Sequence, residues 1–398
     1  MNPEQKIFKK SFIFIICLLM GCIHSSCMHM TSNRIEFVSA KMNYGATEYT
    51  FYNHDSTKAI IAILSAKNQH LYYADLDALE YTQITFGDNF NFDVYISPDD
   101  QFMAYSSLDN RKGRKPKLRI MDLAYFENMD ISPIKLEGWN PLIHDSNVYF
   151  TNYVYKNDIR KGANIFKYSI FEKTLVQLTT GKNYDIVVDV DPKSELLYFM
   201  RGTRYYFASP VGSYRWDHFY YHKINLIHNE TIQISPCRIP GSYQERISYD
   251  GNYALQYSLG SIYLVNLISG DDYKLLPKEG VLEYETRFAD FNKVTYPVFH
   301  PSKDKLFLCM AIREDGEREY SSKVKNIYSM DYVSMEFEQI GNFSKDYISR
   351  LTISSDGIKI FFRTTRAGNK GPLGIMSIRL HDLWLYDIEN DELTQLKL

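Results

Sequence analysis

Five cations crowd into seven residues at Arg111, Lys112, Arg114, Lys115 and Lys117, with no acid between them. Such a cluster suits an anionic partner, because an opposing charge relieves its mutual repulsion. It equally suits a solvated loop whose charges keep the chain soluble. Arg363, Arg366, Lys370 and Arg379 form a second acid-free set. A third stretch mixes Arg201, Arg204 and Arg215 with Tyr205, Tyr206, Phe207, Tyr214 and Trp216. Aromatics beside arginine suit stacking on sugars or the centre of a protein interface, and they also cover apolar neighbours within a fold. His54, His144 and His300 fall in equivalent tight turns, where a turn role is expected. His218 and His222 share a strand face, and no carboxylate pattern marks them as metal ligands. Asp93, Asp185, Asp189, Glu245 and Arg350 lie on candidate first strands, where they would line a polar centre. Carboxylates there would hold a cation or do acid–base work.

The other chemistry is at the N-terminus. Lys6, Lys9 and Lys10 precede an apolar run, Phe12–Met20, that is too short to span a bilayer comfortably and fits a secretion signal. The run ends in Leu19-Met20-Gly21-Cys22, which resembles a bacterial lipobox. The resemblance implies a thioether-linked diacylglycerol on Cys22, with residues 1–21 removed and 22–32 a polar tether. Ile23, rather than Asp, follows the cysteine and favours the outer membrane in a diderm host. Cys237 and Cys309 sit in different repeats, which indicates no disulfide, and no C-x-x-C pair exists, so thiolate metal sites are not expected. No metal and no cofactor are expected.

The elements that must position these groups are repeats. A tight turn rich in Ser, Pro, Asp and Gly recurs from Asn53, Ser97, His144, Asp191, Ser248, His300 and Ser354, at spacings of 44 to 57 residues. A third-strand anchor follows each, as in Leu118–Leu123, Ile327–Tyr332 and Leu383–Ile388. Four short strands cannot bury both faces of their sheet alone, so the last unit, Leu351–Leu398, implies stacked copies of itself. The S-P-D-G-like turn paired with a D-I-W-x-x-D-like third strand resembles the TolB-type β-propeller repeat. That resemblance covers Asn33–Leu398 and implies an all-β fold, a β-propeller of seven four-stranded blades, six or eight being the neighbouring counts. Residues 33–398 then form one domain, and Ile35–Lys41 is either a ring-closing strand or a strap. A β-solenoid uses shorter coils, and a β-sandwich does not repeat a four-strand unit.

Composition bounds the task. A formal net charge of −3 is too small to argue for nucleic acid or an acidic substrate, no nucleic-acid partner is expected, and 33 Tyr with 24 Phe suit half-buried strands. In a four-stranded blade, the connections between strands two and three share one face of the disc. The basic stretches, with Lys156, Arg160 and Lys161, sort to that face, and Asp99-Asp100, Asp271-Asp272 and Glu389–Glu392 sort to the other. No G-x-S-x-G elbow occurs, so the hydrolase domain that accompanies propellers in the prolyl oligopeptidase family is expected to be absent. H-E-x-x-H, P-loop and dinucleotide motifs are missing as well. The favoured reading is a membrane-anchored envelope module that binds a protein or an anionic glycan. The alternatives are a polysaccharide lyase or hydrolase on a propeller, for which the first strands carry almost no histidine, and a structural subunit of an envelope complex.

Overall fold

The computed structural model describes residues 45–65, 68–109, 115–129, 131, 136–156, 159–191, 195–208, 213–234, 247–258, 261–275, 294–310, 326–334, 336–341, 343, 347–370 and 377–396. Every regular element among them is a strand. Successive antiparallel units occupy residues 45–83, 90–128, 139–177, 184–233, 247–275, 294–340 and 347–396. Each has four strands except 247–275, which has three strands and an Ile247–Ala254 bridge on its inner side. A single parallel pairing, Gln69 with Phe90, joins the first two units into one sheet, and Ala163 with Tyr184 joins the next two. Leu19–Cys22, the tether and Ile35–Lys41 lie outside the described residues.

The recurring turn has a local chemical cause. The Ser97 hydroxyl donates to Asp99 and accepts from the Phe102 N–H at 2.8 Å, while Asp99 accepts from the Gln101 N–H. Ser248 with Asp250, and Ser354 with Asp356, repeat those bonds. The residue that ends each third strand, Asp or Asn except at Ser169, caps the following turn. Asn266 accepts from the Ile268 and Ser269 N–H groups, Asp331 from Val333 and Ser334, and Asp387 from Glu389 and Asn390. Both sequence anchors are therefore hydrogen-bonding devices that close hairpins.

Packing runs between units. Ile60, Leu71, Met103 and Met121 form one cluster shared by the first two units. Leu255, Leu264, Leu306 and Met330 form another between the fifth and sixth. The first unit also packs on the last: Tyr49, Phe51 and Ile61 meet Phe361, Leu383 and Leu396. Phe51 stacks on Phe361 at 4.2 Å, and Tyr49 packs edge-on to the same ring. The Tyr49 hydroxyl donates to the Arg350 carbonyl, and the Ser355 hydroxyl to the Asn53 carbonyl. Closure thus comes from two complete sheets meeting face to face, since the last unit builds its four strands from its own residues.

Candidate functional site

The first strands carry bulges at matching places. The register slips between Phe92 and Tyr95, between Ser349 and Thr352, and opposite Tyr149–Thr151 at Asn140. Asp93, Asn140 and Arg350 adopt left-handed φ values of 52°, 53° and 55° at these bulges. A bulge turns its residue away from the regular alternation, here toward the neighbouring inner strands. Asp93 Oδ2 accepts from the Asn140 N–H at 3.2 Å, and the Asn140 amide donates to the Val187 carbonyl. Asp189 Oδ2 accepts from the Ile247 N–H at 3.3 Å. Burial pushes the Asp93 carboxyl up to about 6, against bonds from Asn140 and Ser106 and the Arg350 charge, which favour ionisation.

The expected polar centre is therefore partly assembled. Asp93, Asp189 and Arg350 lie on inner strands, and the first two bond across to the next unit. Asp185 is fully buried and takes a two-pronged bond from Arg201, at 2.7 and 2.8 Å. Glu245 lies outside the described residues. A cavity of about 240 Å³ opens at the turn ends of the inner strands, lined by Asn53, Asp189, Tyr249, His300 and Ser355 among others.

The turn histidines reach toward the next unit's turn. His54 Nδ1 lies 3.3 Å from Asp100, whose carboxylate also takes the Asn53 and His54 N–H groups at 2.6 Å. The His300 ring packs where a side chain at Gly357 would stand, and φ +79° suits glycine there. Burial, then Lys303 and Lys305, lower His300 to about 4. His222 is a core residue stacked on Phe199 at 5.1 Å, its Nδ1 at 3.0 Å from the Tyr220 carbonyl.

The basic and aromatic stretches differ most from the sequence reading. Arg111, Lys112 and Arg114 lie outside the described residues. Lys115 pairs with Glu137 at 3.6 Å and Lys117 with Asp109. Those acids escaped a reading confined to 111–117, although Asp109 is two residues upstream and Glu137 is bridged to Lys117. Of residues 201–217, read as a loop, 201–208 and 213–217 are strand. Leu196–Ala208 pairs with Ser213–Asn225 through twelve positions, out to Ala208 opposite Ser213. The inner strand Tyr184–Asp191 stops at Gly202, so residues 203–208 and 213–218 continue as a two-stranded ribbon. At ~3.3 Å per residue it rises about 20 Å past its sheet. Tyr205 pairs with Trp216 and Phe207 with Tyr214, which puts four aromatic positions on one ribbon face. Tyr206 opposite Arg215 and Arg204 opposite Asp217 occupy the other.

The Gly-rich stretch after Arg366 behaves the same way. Lys359–Lys370 and Ser377–Asp387 stay paired out to Lys370 opposite Ser377, beyond the inner strand's last pair at Thr365. Arg366 and Lys370 stand on this extension, and Arg363 on the four-stranded part. Lys156 and Arg160 stand on a shorter extension, Asn147–Lys156 against Ile159–Ser169. All three join second to third strands and so rise from one face of the molecule.

No family model matches the chain, and no curated protein matches it in sequence. Among solved structures it is similar to a prolyl endopeptidase, with a TM-score of 0.60 and 8% identity over 92% of this chain and 51% of that one. The likeness is one of fold alone. The fold is a β-propeller. The chain spans about half the length of that peptidase. Two further propeller neighbours are an oligogalacturonate lyase in complex with manganese and TolB from Acinetobacter baumannii. The lyase has a TM-score of 0.48 and 14% identity over 67% of this chain and 74% of that one. For TolB the values are 0.44 and 13%, over 88% and 63%. In this propeller the bulged inner strands surround the centre, the Ser-x-Asp turns form one face, and the ribbons rise from the other.

Proposed function

We propose that this chain is a lipoprotein of a bacterial cell envelope, held to the membrane by diacylglycerol on Cys22 and a tether over residues 22–32. Its seven-bladed propeller docks an envelope protein on the ribbon face. The observation that carries this reading is the ribbon at residues 203–218. A two-stranded ribbon is marginally stable alone, and this one carries four aromatic positions on one face and Arg204 and Arg215 on the other. Tyr, Trp and Arg are the residue types that dominate binding energy at protein interfaces. Arg366 and Lys370 on the second extension add basic positions to the same face. Among the described residues the central carboxylates are engaged: Asp93 with Asn140, Asp185 with Arg201, Asp189 with Ile247. That engagement leaves the lyase or hydrolase reading without a described catalytic pair.

The test has two arms. Cys22→Ser should abolish lipid labelling and release the protein from the membrane fraction; normal labelling of that variant refutes the anchor. Tyr205, Phe207, Tyr214 and Trp216 changed together to Ser should leave the melting temperature within a few degrees of wild type and abolish co-purification of the envelope partner. Unchanged co-purification refutes the ribbon as the docking element.

A further inference from the structure

The third and fourth blades meet at a cluster whose chemistry the turn role of His144 does not explain. His144 ends the strand Trp139–His144 and is 5% exposed. Its Nε2 is buried and makes no hydrogen bond. Leaving a buried imidazole nitrogen unbonded is costly, so such atoms normally have a partner. Two carboxylates face it: Asp145 Oδ2 at 3.5 Å and Glu195 Oε1 at 4.0 Å. Neither distance is a hydrogen bond, and the three ligand atoms all lie within 4.8 Å of one another.

The spacing is that of a coordination shell. With metal–ligand bonds of about 2.1 Å, tetrahedral ligands stand roughly 3.4 Å apart, so small adjustments bring these three atoms around one ion. One imidazole nitrogen and two carboxylates suit a divalent transition cation better than Ca²⁺ or Mg²⁺, which favour all-oxygen shells. The carboxylates also carry their charge toward a buried group. Burial first, then Glu195 and Asp145, raise the Tyr149 hydroxyl far above its ordinary range. His144 and Asp145 belong to the third blade and Glu195 to the fourth, so an ion held by all three crosses the junction.

We propose that His144, Asp145 and Glu195 form a divalent transition-metal site of the zinc class that staples the third blade to the fourth on the turn face. The fourth ligand is water, because the Asp145 and Glu195 side chains are 69% and 43% exposed and open the site to solvent. Binding the folded state alone, the ion stabilises it in proportion to the logarithm of its concentration. The site departs from the sequence expectation of no metal, since Glu195 reaches His144 only through the packing of two blades.

The full chain, prepared without a polyhistidine tag and stripped with EDTA, is titrated with Zn²⁺ against a chromogenic chelator and melted at each concentration. One equivalent should bind and the melting temperature should climb with added Zn²⁺. Asp145→Asn and Glu195→Gln alter exposed side chains and preserve the fold, and each should weaken Zn²⁺ by at least ~10-fold. Mg²⁺ at the same concentrations should leave the melting temperature unchanged. The proposal is overturned if the wild type takes up no Zn²⁺, if both variants bind it as tightly as the wild type, or if Mg²⁺ stabilises equally.

Discussion

Asp93 shows how the propeller's centre is held and what that costs. Its carboxyl bonds to the next blade from a left-handed bulge, and burial raises it to about 6. A carboxyl raised in the folded state holds its proton better there than in the unfolded chain. Its stability contribution is therefore full below about pH 4 and is lost as pH rises through about 6. Asp93→Asn keeps an acceptor for the Asn140 N–H, tolerates positive φ, and never ionises. Relative to wild type it should gain nothing at pH 4 and on the order of 3 kcal/mol at pH 8, at ~1.4 kcal/mol per pH unit. Urea denaturation of both proteins from pH 4 to 8 measures this, and a difference that does not change with pH contradicts it. At this scale the sequence was legible where chemistry is local. Ser97, Asp99 and Asn266 do what turn residues do within five positions of themselves. The pairing of Asp185 with Arg201, sixteen residues away, and the approach of Glu195 to His144 depend on sheet register and blade packing, which no short window contains.

Among the elements, the ribbons were read as loops for an identifiable reason. Gly202, Pro210 and Gly212 in one stretch, and Gly368 and Gly371 in the other, break the alternation that marks a strand. The opposing signal was the strand preference of Tyr205-Tyr206-Phe207 and Tyr214-Arg215-Trp216. The pairing decides what the ribbon is for. Gly202 stands opposite Phe219 at the level where the inner strand ends, so a two-residue Asn-Gly turn can join them in register. Replacing residues 203–218 by Asn-Gly should leave the melting temperature within a few degrees of wild type, because the sheet below keeps all its pairs. Collapse of the fold would mean that the ribbon covers a neighbouring blade instead of meeting a partner.

The whole molecule is a set of sheets that are each incomplete without two neighbours. The sequence showed this through its repeats, and the meeting of Phe51 with Phe361 completes it. The two faces of the disc differ chemically. The turn face carries Asp100, Asp145 and Glu195, and the ribbon face carries aromatic and basic positions. Long-range electrostatics would steer an anionic partner toward the ribbons and fade with salt over about 10 Å at 0.1 M. The most direct measurement installs a photo-reactive phenylalanine analogue at Trp216 on the ribbon or at Ile268 on the turn face, in the full chain within its native cells. Illumination at Trp216 should give a discrete protein adduct whose yield falls with added salt, and illumination at Ile268 should give none. Equal adducts from both positions, a carbohydrate adduct at Trp216, or no adduct at either would contradict a protein-docking ribbon face.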